Sequence, residues 1–261
     1  MSSSSAPAKE EALVIRSIRH GESSRIATLF GRARGKFAVI AKGARRSKTS
    51  AGVGNIEPGH RVEAIVYFKP SRSVQNLGQV TLIDAYPRVK EDLCLTSFAA
   101  VVLELLNRAF IDGESNPEAY DAATEALEAL DLGPLHPRIV LWRFQLKVIK
   151  AVGFSLDPNP CPVCGREPAA TGHRNLLLLE AGAICCQDCQ PTEEPSLQLS
   201  GESVSLLRRI ERNSDPGLGR LKPSRAASRE LTYILERFLR YHNPALGQMP
   251  ALEMLETLDN S

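Results

Sequence analysis

The sequence lacks long hydrophobic runs and has few aromatic residues. No apolar run approaches the roughly 18 residues that a membrane-spanning helix requires. The first segment, MSSSSAPAKEEALV, also lacks the basic start and apolar stretch of a secretory signal. Phe, Trp and Tyr make up only 5% of the 261 residues. These absences argue against a membrane protein and predict a cytoplasmic one.

Motifs of catalytic and nucleotide-binding sites are missing too. The sequence contains no GxxxxGK[ST], HExxH or GxSxG pattern, and no GxGxxG after a strand. Carboxylates such as Glu118, Asp121 and Glu125 recur at the spacing of a solvated helix face. We therefore predict a binding protein and not an enzyme. A zinc-dependent hydrolase or nuclease is the competing enzyme hypothesis.

Charge is distributed unevenly along the chain. Residues 1–90 contain 16 Lys and Arg against 6 Asp and Glu, whereas residues 91–261 contain 16 against 24. This asymmetry predicts a polyanion-binding first domain joined to a second domain of another kind. The alternative is a basic surface that binds nothing.

The first third of the chain has the pattern of a small β-barrel. Five short runs rich in β-branched residues lie between Leu13 and Pro87, separated by Gly, Ser, Asn or Pro clusters. Five strands suit a Greek-key barrel such as the OB-fold. We therefore predict an α+β protein with a disordered tail over 1–12 and an OB-fold nucleic-acid-binding domain over 13–90.

Apolar residues at helical spacing dominate from residue 91 to residue 261. Proline near a first helical position and a serine cap at Ser224 mark helix starts. Together these signals predict helices near 93–111, 117–131, 138–153, 200–213, 224–242 and 251–258. A cysteine-rich insertion at about 158–195 interrupts this helical domain.

Five of the six cysteines lie in this insertion. Cys161 and Cys164 form one CxxC pair, and Cys186 and Cys189 form a second. Two such turns facing each other place four sulfurs at tetrahedral corners, the geometry that structural zinc prefers. We therefore predict one structural Zn²⁺ ion, with no open position for a substrate.

Other interpretations of the cysteines remain open. An iron–sulfur cluster also uses four cysteines, whereas a disulfide or a redox CxxC fits this sequence less well. Cys185 is an alternative to Cys186 as the third ligand, and His173 is a possible substitute. Cys94 is expected to be a buried apolar residue on a helix.

The densest group of cations lies in and after the third predicted strand, where it could line a groove across the barrel. Such a groove would bind phosphates through counterion release, largely independent of sequence. With few rings nearby, electrostatics should outweigh base stacking. An RNA-binding or ribosome-associated adaptor is the alternative, since phosphate contacts barely distinguish the two polymers. The predicted DNA-binding residues are Arg32, Arg34, Lys36, Lys42, Arg45, Arg46, Lys48 and Arg72.

This order of features resembles the RecO family of bacterial DNA-repair and recombination-mediator proteins. The resemblance rests on TLFGRARGKFAVIAKGARRSKTS in the barrel and on LWRFQLKVIKAVGF directly before the CPVCG and AGAICCQDC segments. It extends from about Leu13 to the helix containing His242. The sequence departs from the family pattern at Ala181, which replaces the first glycine of a pair, and at the extra Cys185.

The resemblance implies a more specific function. It implies binding of single- and double-stranded DNA, annealing of complementary strands, and cooperation with RecR in the RecFOR pathway. RecA is then loaded onto strands covered by single-strand DNA-binding protein. It also implies a bacterial cytoplasmic protein associated with the nucleoid during repair. The acidic, apolar tail of single-strand DNA-binding protein is expected to bind near Arg138, Arg143, Lys147 and Lys150.

Overall fold

The structure, a computed structural model, describes residues 7–22, 24–42, 55–133, 135–170, 174–189, 194–212 and 217–259. The chain divides into two compact units. The first comprises Met1–Leu132 and Met249–Leu258, and the second comprises Gly133–Gln248 and Asp259–Ser261. The predicted domain boundary at residue 90 lies inside the first unit, and independent folding of residues 13–90 stays a prediction.

A closed five-stranded barrel forms the N-terminal part of the first unit, in the order β1-β2-β3-β5-β4. Strands β3 and β5 are parallel, whereas the other pairs are antiparallel. This topology confirms the predicted OB-fold. The strands are β1 (Pro7–His20), β2 (Ser24–Gly31), β3 (Gly35–Ala41), β4 (Arg61–Tyr67) and β5 (Val74–Asp84).

The first strand begins earlier than the sequence predicted. Residues 7–12 were assigned to a disordered tail, but they pair with β4 from Pro7 opposite Tyr67 to Ala12 opposite Val62. The prediction was wrong for these residues because two glutamates made the segment look solvated. Glu10 is only 3% exposed, and Glu11 forms an ion pair with Arg61.

Alternation along the strands separates the barrel core from its outer face. Ala27 and Leu29 of β2 and Val39 of β3 are almost fully buried in the core. Ile26, which precedes Ala27, and Ile40, which follows Val39, are half-buried on the outer face.

Helices complete the first unit. Asp92 caps α2 by accepting from the Leu95 N–H, and Asn116 accepts from the Ala119 N–H at the start of α3. The last helix returns to this unit, where the Ala251 N–H donates to Glu104 Oε2 at 2.9 Å. The helices are α1 (Pro87–Glu91), α2 (Leu93–Ala109), α3 (Pro117–Leu132) and α7 (Pro250–Asp259).

The second unit packs helices around Trp142, which is fully buried, and carries a small sheet in the order β7-β6-β8. The six predicted helices are all found within a few residues of their expected bounds. No helix among the described residues is long and apolar enough to cross a bilayer. The elements are α4 (Pro137–Ala151), β6 (Arg174–Leu178), β7 (Ala183–Cys185), β8 (Ser196–Ser200), α5 (Gly201–Glu211) and α6 (Arg225–His242).

Candidate metal centre and nucleic-acid interface

The four predicted cysteines lie together. The sulfurs of Cys161, Cys164, Cys186 and Cys189 are all within 4.8 Å of one another. Tight turns produce this geometry. In the first turn the Gly165 N–H donates to the Cys161 carbonyl at 2.9 Å, and in the second the Cys189 N–H donates to the Cys186 carbonyl at 3.1 Å. Four thiolates in this arrangement fit a tetrahedral metal ion such as Zn²⁺.

The four sulfurs differ in how easily they ionise. Burial opposes ionisation of Cys161, but backbone N–H groups, first that of Cys186, donate to its sulfur and lower its pKa to about 6. A hydrogen bond from Arg166 lowers the pKa of Cys164. Burial raises the pKa of Cys186, and hydrogen bonds with Cys186 and Cys164 raise that of Cys189 to about 12. Two thiolates therefore form first, and a bound divalent ion would stabilise all four.

The fifth cysteine of the module lies beside the group and outside it. Cys185 pairs with Leu176 in the sheet, and its buried thiol donates to the Cys189 carbonyl at 3.0 Å. Its sulfur is 3.8 Å from that of Cys161. Burial raises the pKa of Cys185 to about 12. The group of four neighbouring sulfurs contains Cys186 and not Cys185, and the choice of Cys186 as the third metal ligand stays a prediction.

Two other candidate ligands have different outcomes. His173 lies outside the described residues. Cys94 was expected to be buried, but it is exposed because it lies in the first turn of α2, before the buried face that begins at Ser97.

Arg166 joins the two cysteine turns. Its Nε donates to Cys164 Sγ at 3.4 Å, and its terminal nitrogen lies 3.3 Å from Asp188 Oδ2 in the second turn. The hydrogen bond with the Cys164 sulfur raises the pKa of Arg166. The guanidinium therefore offsets negative charge beside the sulfurs.

The β2–β3 turn carries predicted DNA-binding residues that contact helices of the same unit. Arg32 donates two hydrogen bonds to the Asp121 carboxylate, from Nε to Oδ1 and from Nη2 to Oδ2, each at 2.9 Å. Lys36 Nζ donates to the Asn107 carbonyl at 2.6 Å and lies 3.1 Å from Asp112. Hydrogen bonding to Asp121 raises the pKa of Arg32. Asp121 is thus an ion-pair partner and not only part of a solvated stripe.

Backbone contact fixes the same turn. Gly35 has a φ of +63°, and a Cβ at this position would lie 1.7 Å from the Glu114 carbonyl oxygen. Glu10 Oε1 accepts from the Ala33 N–H at 2.7 Å, so a buried carboxylate supports the turn from inside the barrel. The turn is therefore fitted against the loop between α2 and α3.

The remaining predicted cations fall into three groups. The Arg34 guanidinium lies 4.4 Å from the centre of the Phe68 ring and 3.8 Å from Glu10. The side chains of Lys42 and Arg72 are exposed and make no ion pair within the described part of the chain. Arg45, Arg46 and Lys48 lie outside the described residues.

Further exposed cations, which the sequence analysis missed, lie at the β1–β2 end of the barrel. Arg19 pairs with Arg25 across β1 and β2, and Arg25 pairs with Ala41, the residue before Lys42. Arg16 lies on the same strand as Arg19, and both are exposed. The signal was present as arginine spacing in LVIRSIRH, but only the pairing register brings Arg19 near Lys42. Arg16 lies farther along the barrel, because it pairs with Thr28, which pairs with Ala38.

An apolar row crosses the outer face of the barrel beside these cations. Ile18 pairs with Ile26, which pairs with Ile40. Ile18 is 44% exposed. Since the outer face of strands 2 and 3 is where OB-folds bind oligonucleotides, this row and the neighbouring cations form a candidate nucleic-acid interface.

A groove lies in the second unit between α4 and α5. Arg143, Lys147 and Lys150 line it together with apolar residues that include Leu207 and Ile210. The expected residue Arg138 is not part of it. Arg138 is 3% exposed and donates to the Thr232 hydroxyl at 3.0 Å.

A closed OB-fold barrel with exposed cations, joined to a helical unit with a four-cysteine group, defines a nucleic-acid-binding protein. The chain belongs to the RecO family of DNA repair proteins. Residues 4–86 match the family model described as Recombination protein O N terminal, and residues 90–246 match the one described as Recombination protein O C terminal. The resemblance identified in the sequence is confirmed, and with it a role in DNA repair and recombination.

Individual relatives agree with the family assignment. The chain is 28% identical over 251 residues to a DNA repair protein RecO of Exiguobacterium sibiricum, covering 96% of this chain and 98% of that protein. It is 30% identical to the RecO protein of Salinibacter ruber, covering 89% and 87% respectively. It is 32% identical to that of Geobacter sulfurreducens, covering 78% and 80%.

Proposed function

We propose that the chain binds single- and double-stranded DNA and anneals complementary strands, without catalysing a covalent reaction. The observation that carries this proposal is the cluster of exposed cations at the β1–β2 end of an OB-fold barrel in a RecO-family chain. Cations that contact two strands at once reduce the repulsion between their phosphates. The few exposed rings leave the bases free to pair.

Among the barrel cations, we assign DNA contacts to Arg16, Arg19, Lys42 and Arg72. Arg45, Arg46 and Lys48 follow Lys42 within six residues of the sequence and stay predicted DNA contacts. Arg32 and Lys36 instead support the fold, because their partners already neutralise or occupy them. Arg34 is a secondary contact, since Phe68 and Glu10 share its guanidinium.

We propose that the partners follow those of the family. In this proposal the protein acts with RecR in the bacterial cytoplasm to load RecA onto DNA covered by single-strand DNA-binding protein. The groove lined by Arg143, Lys147 and Lys150 suits the acidic, apolar tail of that protein, because its lining contains both cations and apolar residues.

An annealing experiment tests the central proposal. Complementary strands coated with single-strand DNA-binding protein are mixed with the full chain or with a triple variant, Arg16→Gln, Arg19→Gln and Lys42→Gln. We expect the triple variant to anneal at least about tenfold more slowly, because three phosphate contacts are lost. The control is Arg212→Gln, which removes an exposed arginine from the end of α5. Equal rates for the triple variant and the wild type would refute the assignment of the surface.

RNA binding is the competing function. Competition between single-stranded DNA and RNA of equal length against the same labelled DNA separates the two hypotheses. We expect DNA to compete at least as well as RNA. Strong preference for RNA would favour the ribosome-associated adaptor.

We further propose that the four cysteines hold one structural Zn²⁺ ion, which joins the two turns of the module. We expect one zinc per purified chain by elemental analysis, and none in the Cys164→Ser, Cys186→Ser double variant. Cys94→Ser is the matched control and should retain the metal, since this cysteine is exposed on α2. Zinc should dissociate as the pH falls, because protons compete for the thiolates. Recovery of iron and sulfide would instead indicate a cluster.

A further inference from the structure

Helix α6 presents a regular row of cations and tyrosines to solvent. Its buried face consists of apolar and small residues from Ala227 to Leu239. On the opposite side, exposed residues recur every four positions. Because each step of four residues turns about 40° around the helix axis, the row winds obliquely across this exposed side. These residues are Arg225, Arg229, Tyr233, Arg237 and Tyr241.

The charge of this row differs from that of its surroundings. Although residues 91–261 carry an excess of acidic residues, the acids of α6 already have partners. Glu230 accepts from the Ser200 N–H at 3.0 Å and from the Ser200 hydroxyl, and Glu236 forms an ion pair with Arg240 at 2.6 Å. Arg225 and Arg237 have no ion-pair partner among the described residues. The row is therefore a local cationic surface.

The tyrosines add a second property. Tyr233 is 50% exposed and Tyr241 is 41% exposed. The Tyr241 ring makes an edge contact with the ring of His242, at 5.1 Å between centroids. His242 itself is fixed, because it stacks on Phe154 and its Nε2 lies 2.8 Å from the Leu179 carbonyl oxygen. One tyrosine is therefore supported from the side while part of its ring stays accessible.

A polyanion with accessible flat rings is the ligand that suits this row. Guanidinium groups bind phosphates with two hydrogen bonds, and exposed tyrosines stack on unpaired bases. From Arg225 to Arg237 and Tyr241, the row extends for about 24 Å along the helix, at 1.5 Å per residue. A duplex would offer phosphates to the arginines but no base faces to the tyrosines. An acidic peptide would likewise leave the tyrosines without stacking partners.

We propose that the outer face of α6 is a second DNA-binding surface, specific for single strands, in which Arg225 and Arg237 contact phosphates and Tyr233 stacks on a base. This inference rests on the proposed function that the chain binds DNA. It adds a contact outside the barrel and a preference for unpaired strands.

Binding of the full chain to fluorescein-labelled oligothymidylate and to a labelled duplex tests the proposal. Tyr233→Ala should weaken binding to the single strand at least about fivefold and leave duplex binding unchanged. Tyr233→Phe should bind like the wild type, because a phenyl ring also stacks. Arg225→Glu with Arg237→Glu should reduce the salt slope for the single strand by about 1.4, whereas Arg212→Glu, the charge-matched control, should not.

Photo-crosslinking of the unmodified chain to oligonucleotides containing 5-iododeoxyuridine provides a measurement that does not depend on variants. We expect crosslinked peptides to include Tyr233 or Tyr241. The proposal is overturned if crosslinks map only to the barrel and the α6 variants bind like the wild type; the proposed function then still stands. If the wild-type chain binds neither DNA, the proposed function itself fails.

Discussion

The two ends of the barrel carry arginines and lysines in different environments. At the β2–β3 turn, Arg32 is paired with Asp121 and Lys36 with Asn107 and Asp112. At the β1–β2 end, Arg16 and Arg19 are exposed, and the register brings Arg19 near Lys42. The sequence shows similar density of positive charge at both places. The difference shows that carboxylates and carbonyls of the fold itself can engage part of a cation cluster, as they do for Arg32 and Lys36.

The largest effect on stability is expected from alanine substitution of two glycines with similar φ angles, one at each end of the barrel. Gly35 has a φ of +63° and Gly21 a φ of +60°, so alanine is strained at both. At Gly21 a Cβ would meet nothing within 4 Å, whereas at Gly35 it would meet the Glu114 carbonyl. We expect Gly21→Ala to cost about 1 kcal/mol of unfolding free energy and Gly35→Ala about 3 kcal/mol or more. Urea denaturation measures both. Similar losses would show that the β2–β3 turn is not fixed by the α2–α3 loop.

A smaller effect is expected from the buried carboxylate that supports the turn. Glu10→Ala leaves the Ala33 N–H without its acceptor, and this should cost about 1–3 kcal/mol of unfolding free energy. Glu10→Gln keeps an acceptor oxygen and should cost less. Thermal and urea unfolding give the comparison. Equal losses for glutamine and alanine would mean that the charge near Arg34 matters more than the hydrogen bond.

The smallest effects are expected from replacing one arginine at each end of the barrel, and this pair of variants compares the two ends most directly. Arg19→Gln should reduce the salt slope of single-stranded DNA binding by about 0.7, since one phosphate contact is lost, and should leave stability unchanged. Arg32→Gln should leave the slope unchanged and lower the unfolding free energy only slightly, as expected for an exposed ion pair. Fluorescence titration at several salt concentrations measures the slopes. Reversed outcomes would move the DNA surface to the β2–β3 turn.

Local patterns predicted most of the architecture. Strands β2 to β5 lie within the segment from Leu13 to Pro87 that its β-branched runs assigned to a barrel. Helices α5 and α6 begin directly after the capping residues Ser200 and Ser224. The four-cysteine group was also predicted, because two CxxC turns constrain where their sulfurs can lie. These features depend on neighbours within a few residues in sequence.

Features that depend on distant partners were not predictable in the same way. Asp121 lies 89 positions from Arg32, and Asn107 lies 71 positions from Lys36. No spacing rule connects such residues. The early start of β1 was missed for a similar reason, because the partner of Glu11 is Arg61 in another strand. The proximity of Arg19 to Lys42 likewise depends on the strand register.

The assignment of α7 to the first unit has a consequence for work with fragments. Residues after the second unit complete the first, with Ala251 bonded to Glu104 and Phe110 packed on Phe30 at 5.4 Å. A truncation at residue 90 would strip the barrel of the ring and the carbonyls that cover one side of it. Removing the last dozen residues, which include most of α7, would also destabilise the first unit. If a shortened protein loses DNA binding, misfolding of the first unit would therefore explain the loss as well as removal of a binding site.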